Sequence, residues 1–281
     1  MFKIAILDMN NGVQNEGMRC IRKIIDNFSR SSTTPVDYQI FDVRQNNEIP
    51  DLGFDAYIST GGPGIPFPEG KPWEKGFYNF IDSIHDYNLD RRNKHKKHLF
   101  LICHSYQMAC YHWQLALVSK RRSSAFGVFP AHKTHYALNE PVFEGLHDPF
   151  WVIDARDYQV TQPSLLAMEM MGAKILCFEK IRPLVNLERA VMAIRFSPYI
   201  IGTQFHPEAD AEGMLRHFSD QGKQDLVVKT HGESKYYEML RHMNHPDKIA
   251  LTESVILPNF LKMAAYYKEH GKLPRNKVVQ S

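Results

Sequence analysis

Apolar runs of strand length alternate with segments of helical spacing along the amino-terminal part of the chain. Lys3–Leu7, Tyr38–Phe41, Ala56–Ser59 and Leu99–Ile102 read as strands. Between the first two, Gln14–Phe28 places Met18, Ile21, Ile24, Ile25 and Phe28 on one helical face. Trp73–Tyr87 and His104–Leu117 show the same periodicity. Strands alternating with helices predict an α/β fold: a doubly wound, mostly parallel central sheet with helices on both faces.

From Ser119 to about Arg195 the pattern is more broken. Phe126–Pro130 and Trp151–Ile153 look like strands of a subsidiary or edge sheet, and Lys174–Phe178 and Val191–Ile194 are suited to pair as neighbours. Beyond Asp210 the spacing turns helical again, over Glu212–Phe218, Ser234–Met243 and a long segment from Thr252 to Glu269. In that last segment Ile256, Phe260, Leu261, Met263, Ala264 and Tyr267 give an apolar face despite Pro258. The expected organisation is a domain over residues 1–212 and a helical carboxy-terminal extension over 213–281 packed on it.

Composition narrows the class. The chain has 281 residues, 43% of them hydrophobic, which is enough for a sizeable core. A net charge of +3 is too mild to argue for nucleic acid. No apolar stretch reaches membrane-spanning length, and Met1–Asp8 reads as a strand too short and too early for a signal peptide. Cys20, Cys103, Cys110 and Cys177 lack the spacing of a disulfide framework, so free thiols in a reducing, cytoplasmic setting are expected. His95/His98, His132/His135 and His242/His245 have ligand-like spacing, but no cysteine or carboxylate set accompanies them, so no metal is expected. The basic run Arg91–His98 reads as a solvated loop. Lys120-Arg121-Arg122 reads as a complement to the dipole at the end of the preceding helix.

Three segments of different chemistry fall at the carboxyl ends of predicted strands, where doubly wound sheets gather their sites. Thr60-Gly61-Gly62-Pro63-Gly64 follows Ala56–Ser59. Cys103 follows Leu99–Ile102, at a turn into a helix. His206-Pro207-Glu208 closes the run Gly202-Thr203-Gln204-Phe205. A thiolate nucleophile needs an imidazole to take its proton and a carboxylate to fix the ring tautomer. In extended chain residues i and i+2 point the same way, so His206 and Glu208 suit those two tasks. The helix start after Cys103 favours negative charge on sulfur, and a glycine loop can offer an N–H with no side chain in the way. The reaction class is acyl transfer through a thioester.

These motifs resemble the class I, triad-type glutamine amidotransferases, which join a Gly-Gly-Pro loop, a Gly-x-Cys-x-Gly-x-Gln elbow and a Gln-Phe-His-Pro-Glu strand end in this order. The likeness runs from about residue 2 to residue 210. It implies Cys103 as nucleophile, His206 as base and Glu208 as its orienting acid. It also implies the backbone N–H groups of Gly62 and His104 as an oxyanion hole, and Gln107 as a substrate-binding residue. The implied activity is release of ammonia from glutamine without a cofactor, with a separate synthase subunit to receive the ammonia. The elbow departs from the family where Leu101 and Ser105 replace its two glycines. Leu101, on the nucleophile's strand face, is expected to crowd the region beneath the thiol. Asp154-Ala155-Arg156-Asp157-Tyr158 falls where the family often adds a glutamine contact, and Arg156 there reads either as a holder of the substrate's charged ends or as a surface ion pair. Two other functions fit the same residues: a γ-glutamyl peptidase or other acyl-transfer enzyme, and a non-catalytic binding or regulatory module on the same scaffold.

Overall fold

A computed structural model describes residues 1–183, 186–219, 225, 228–229, 232–243 and 245–274 of the chain. Parts of the expected extension, including its last seven residues 275–281, lie outside the described residues.

The strands are β1 (Phe2–Asp8), β2 (Val36–Asp42), β3 (Ala56–Ser59), β4 (His98–Ile102), β5 (Ala116–Lys133), β6 (Phe150–Pro163), β7 (Lys174–Phe178), β8 (Val191–Ser197) and β9 (Ile200–Thr203). They form one sheet in the order β2-β1-β3-β4-β9-β8-β7-β5-β6. From β2 to β9 every pairing is parallel; beyond β9 each is antiparallel. Only β8 and β5 therefore run against the rest. The fold is the mostly parallel α/β architecture that the alternating pattern predicts. The edge segments are strands too, but β5 and β6 are far longer than their central apolar pentads suggest.

The helices are α1 (Glu16–Ser31), α2 (Pro72–Leu89), α3 (His104–His112), α4 (Leu165–Met171), α5 (Ala211–Ser219), α6 (Glu233–Met243) and α7 (Leu251–His270). Asn15 caps α1, its side-chain oxygen accepting the Met18 N–H at 3.1 Å. On one face of the sheet α1 and α7 bury Ile21, Ile25, Phe260 and Leu261 against Ile4, Ile58 and Phe100. On the other, α2 and α3 bury Phe77, Ile81, Met108 and Ala109 against Ala5, Tyr57 and Leu99. Helix α7 is thus a wall of the main core, and Pro258 sits in it without ending it.

Three local expectations need correction. Helical spacing over His104–Leu117 predicts too long a helix. It stops at His112, because His112 and Trp113 both bond the Asp82 carboxylate of α2 at 2.8 Å and Gln114 turns left-handed at φ 53°. Leu117 then pairs with Thr161 in the sheet. Lys120-Arg121-Arg122 lies on β5 rather than at a helix end, and Arg121 reaches Glu179 and Gln159. The basic run is not wholly solvated. Lys97 and His98 are buried, with the Lys97 ammonium donating to the Phe54 carbonyl at 2.9 Å.

Candidate active site

Strands β3, β4 and β9 are neighbours, and their carboxyl ends bring the three candidate segments together. Cys103 stands between β4 and α3. The Cys103 N–H still bonds the Thr203 carbonyl of β9 at 2.7 Å, so the ladder runs up to the nucleophile position itself. The next step is a sharp turn. Cys103 has φ 48° and ψ −97°, a conformation that a residue with a side chain adopts only at a cost of roughly 1–3 kcal/mol. That turn carries the side chain away from the strand alternation and presents it at the head of α3. Its thiol is only slightly exposed, at 6%.

His206 and Glu208 follow β9. The His206 N–H donates to Ile153 of β6 at 2.9 Å, which holds the segment under the long hairpin. Its Nδ1 lies 2.9 Å from Glu208 Oε1, and the Cys103 thiol hydrogen-bonds the same ring. Burial alone would pull the imidazole down. The Glu208 carboxylate and then Cys103 outweigh it, and the ring is held well above its ordinary 6.5. Sulfur, imidazole and carboxylate thus form one connected line.

The glycine loop closes over this line. A Cβ built on Gly61 would stand 2.8 Å from His206 Cε1 and 3.4 Å from Cys103 Cβ, so the pair meets across a bare backbone. A Cβ on Gly62 would lie 2.2 Å from the Met9 carbonyl, an approach only glycine permits. Arg44 braces the loop from below. Its guanidinium donates to the carbonyls of Pro63 and Met9 and lies 4.9 Å over the Trp73 ring. No motif marks Arg44; its place after β2 is what brings it here. At the head of α3 the His104 N–H is one of the first-turn groups a helix leaves without an internal partner. The His104 ring is buried with Nε2 unpartnered, and burial, aided by the Arg44 charge, pulls it down to about 3. It is a neutral group at pH 7 and offers the sulfur no cationic partner.

Gln107 is buried, and its amide nitrogen donates to the Tyr158 carbonyl and to Gln204 Oε1, both at 3.1 Å. Gln204, which the motif reading leaves without a role, puts its own Nε2 3.7 Å from Cys103 Sγ.

Two expectations about the surroundings fail. Leu101 does not crowd the thiol. It packs with Leu99 and Tyr106 on one face of the sheet, while Cys103 joins Phe100 and Ile102 on the other, because the left-handed turn breaks the alternation. Arg156 is neither exposed nor open to a substrate. Its side chain is 1% exposed and clamps Asp154 at 2.8 Å, with Glu179 beyond at 3.5 Å. Ser105 has a structural task. Its hydroxyl accepts the Ile102 N–H and reaches the Ser59 carbonyl, each at 3.0 Å, tying the elbow to β3.

Among the described residues no group of three or more His, Cys, Asp or Glu side chains is placed to hold a metal ion, and no helix is long and apolar enough to cross a membrane.

No family model matches the sequence, and no curated protein matches it. Solved structures do. A glutamine amidotransferase from Thermotoga maritima superposes with a TM-score of 0.65 at 16% identity, covering 94% of this chain and 97% of that one. A glutamine amidotransferase from Methylobacillus flagellatus gives 0.59 at 13%, covering 100% and 98%. The glutaminase domain of Trypanosoma brucei CTPS with bound acivicin gives 0.54 at 13%, covering 82% and 95%. Together with the order of strands and the placement of the three segments, these likenesses show that the chain has the class I glutamine amidotransferase-like fold.

Proposed function

We propose that this protein hydrolyses the side-chain amide of glutamine through a thioester on Cys103. The observation that carries the reading is the connected line from Cys103 through His206 to Glu208 at a left-handed strand-to-helix turn. Cys103 attacks the amide carbon as the thiolate, with His206 as imidazolium and Glu208 holding Nδ1. The negative charge that develops on the amide oxygen falls to the N–H groups of Gly62 and His104. His206 then gives its proton to the departing nitrogen, and ammonia leaves. Water, deprotonated by the same ring, cleaves the thioester to glutamate and restores the thiol. Gln107 contributes to glutamine binding through its Oε1, since its nitrogen is already engaged.

The small-molecule substrate needs no cofactor for these steps. The synthase association named in the CTPS glutaminase domain supports a separate subunit as ammonia acceptor. The reading also places the protein in the cytoplasm, on its free cysteines.

The test is a panel of glutamine and γ-glutamyl dipeptides with purified protein, scored by ammonia and glutamate release. Glutamine is expected to give both products, and Cys103→Ala to abolish them with the fold intact. Cleavage of dipeptides without ammonia from glutamine would convert the assignment to a γ-glutamyl peptidase. Unchanged turnover in Cys103→Ala would remove the mechanism altogether. The altered elbow no longer favours the peptidase, because Leu101 faces away from the thiol and Ser105 is spent on the elbow.

A further inference from the structure

Gln107, Gln204 and Cys103 form a one-way chain of amides ending on sulfur. The direction follows from chemistry. The Tyr158 carbonyl can only accept, so the Gln107 atom that faces it is the amide nitrogen. That nitrogen carries two hydrogens, and the second points to Gln204 at 3.1 Å. The Gln204 atom that receives it must be Oε1. The other end of the Gln204 amide, the Nε2 donor, is then turned toward Cys103 Sγ at 3.7 Å. Gln204 is fully buried, and its backbone N–H bonds the Met192 carbonyl at 2.8 Å, so solvent offers it no alternative partner.

We propose that Gln204 is a thiolate-stabilising donor and that Gln107 is the positioning residue that fixes its amide orientation. A thiol sulfur is a weak acceptor and a thiolate a strong one, so an N–H held against Sγ favours the charged form. The other protein group against sulfur, the Ala155 carbonyl at 3.8 Å, accepts a thiol hydrogen but gives a thiolate nothing. Without Gln107 the Gln204 amide is free to turn its oxygen toward sulfur, which would oppose ionisation. The Gln107 nitrogen thereby acts on the nucleophile through a second amide, separately from any contact its oxygen makes with glutamine. The inference rests on Cys103 being the nucleophile.

The experiment measures the rate of Cys103 alkylation by iodoacetamide against pH on the full chain without glutamine, with the labelled residue located by peptide mapping. Gln204→Met removes the donor at nearly constant size. Gln107→Glu keeps an acceptor for the substrate but removes both donated hydrogens. Each is expected to move the midpoint of the alkylation profile up by about one pH unit, the size of one hydrogen bond to a charged group. The KM for glutamine in Gln107→Glu is expected to stay near wild type while kcat at neutral pH falls. If wild-type Cys103 reacts no faster than free cysteine at neutral pH, the nucleophile assignment fails and the inference goes with it. If wild type is activated and both variants keep its midpoint, the inference alone is overturned. A raised KM with an unmoved midpoint in Gln107→Glu overturns it as well and leaves Gln107 a substrate contact. Should either variant fail to fold by circular dichroism, the other decides, and Gln107→Met supplies a replacement with the same expected shift.

Discussion

Leu101 of β4 and Gly202 of β9 are register partners, and a Cβ on Gly202 would stand 3.2 Å from that of Leu101. The glycine missing from the elbow strand is present across the ladder. A bulky residue before the nucleophile is accommodated because the neighbouring strand carries none at that level. The same built Cβ meets Tyr106 Cδ2 at 2.8 Å and Phe196 Cε2 at 3.0 Å, two rings that are themselves fully buried. Gly202→Ala is therefore expected to destabilise the fold by about 1–3 kcal/mol, the usual cost of overpacking a filled core. Urea unfolding measures it. A wild-type midpoint would show that these rings have slack.

Gly61 and Gly62 are bare for different reasons, and their alanine variants are expected to separate stability from activity. At Gly61 the added methyl meets the edge of the His206 ring, a side chain that can shift. The fold survives, but the imidazole moves off the sulfur, and a misplacement of that kind costs on the order of 100-fold in turnover. At Gly62 the methyl meets backbone, the Met9 carbonyl at 2.2 Å, so the loop itself must move. Gly62→Ala is expected to lose thermal stability as well as turnover. Equal melting temperatures for the two variants would contradict the distinction.

How much of this was legible in the chain can be judged from the same residues. Alternating periodicity reaches the α/β class, and strand-end positions reach Cys103, His206, Glu208 and the glycine loop, because chemistry at strand ends is a local pattern. The role of Gly202 was not legible, since it depends on which strand lies beside β4. Arg44 was hidden for the same reason: its partners, Met9 and Pro63, come from two other loops. Arg156 was misread because burial is a property of the packed hairpin, and a run of charges looks solvated until Asp154 and Glu179 are seen to enclose it. The short α3 escaped because Gln114 and a sheet partner overrode helical spacing.

The His206 imidazolium makes a definite prediction about pH. Burial disfavours the charged ring, but the Glu208 carboxylate and Cys103 more than offset it, so the folded value lies above the unfolded 6.5. A group raised on folding contributes stability that is fully present below the unfolded value and is lost as pH rises through the folded one. Glu208→Gln removes the chief opposing charge and leaves burial to pull the ring down. The stability difference between wild type and Glu208→Gln is expected to be largest near about pH 6 and to shrink in the alkaline range. Thermal unfolding across that range measures it; a difference that grows with pH would show that the ring is buried neutral.

Helix α7 carries the last prediction. Its Phe260 is fully buried and meets the Phe100 ring edge-on at 5.3 Å, on the strand that ends at the nucleophile. Leu257, Leu261 and Ala264 lie in the same cluster as α1 and the parallel strands. Removing a buried ring from such a site leaves a cavity that neighbours fill only in part, and Phe260→Ala is expected to cost about 3–5 kcal/mol. A loss of that size is comparable with the whole stability of many domains, about 5–15 kcal/mol. Truncation before Leu251 would uncover the entire face at once. The truncated chain is expected to be recovered unfolded or aggregated, with no residual Cys103 alkylation selectivity. A soluble truncated chain with native circular dichroism would show that the sheet closes its own core and that α7 is a dispensable cover.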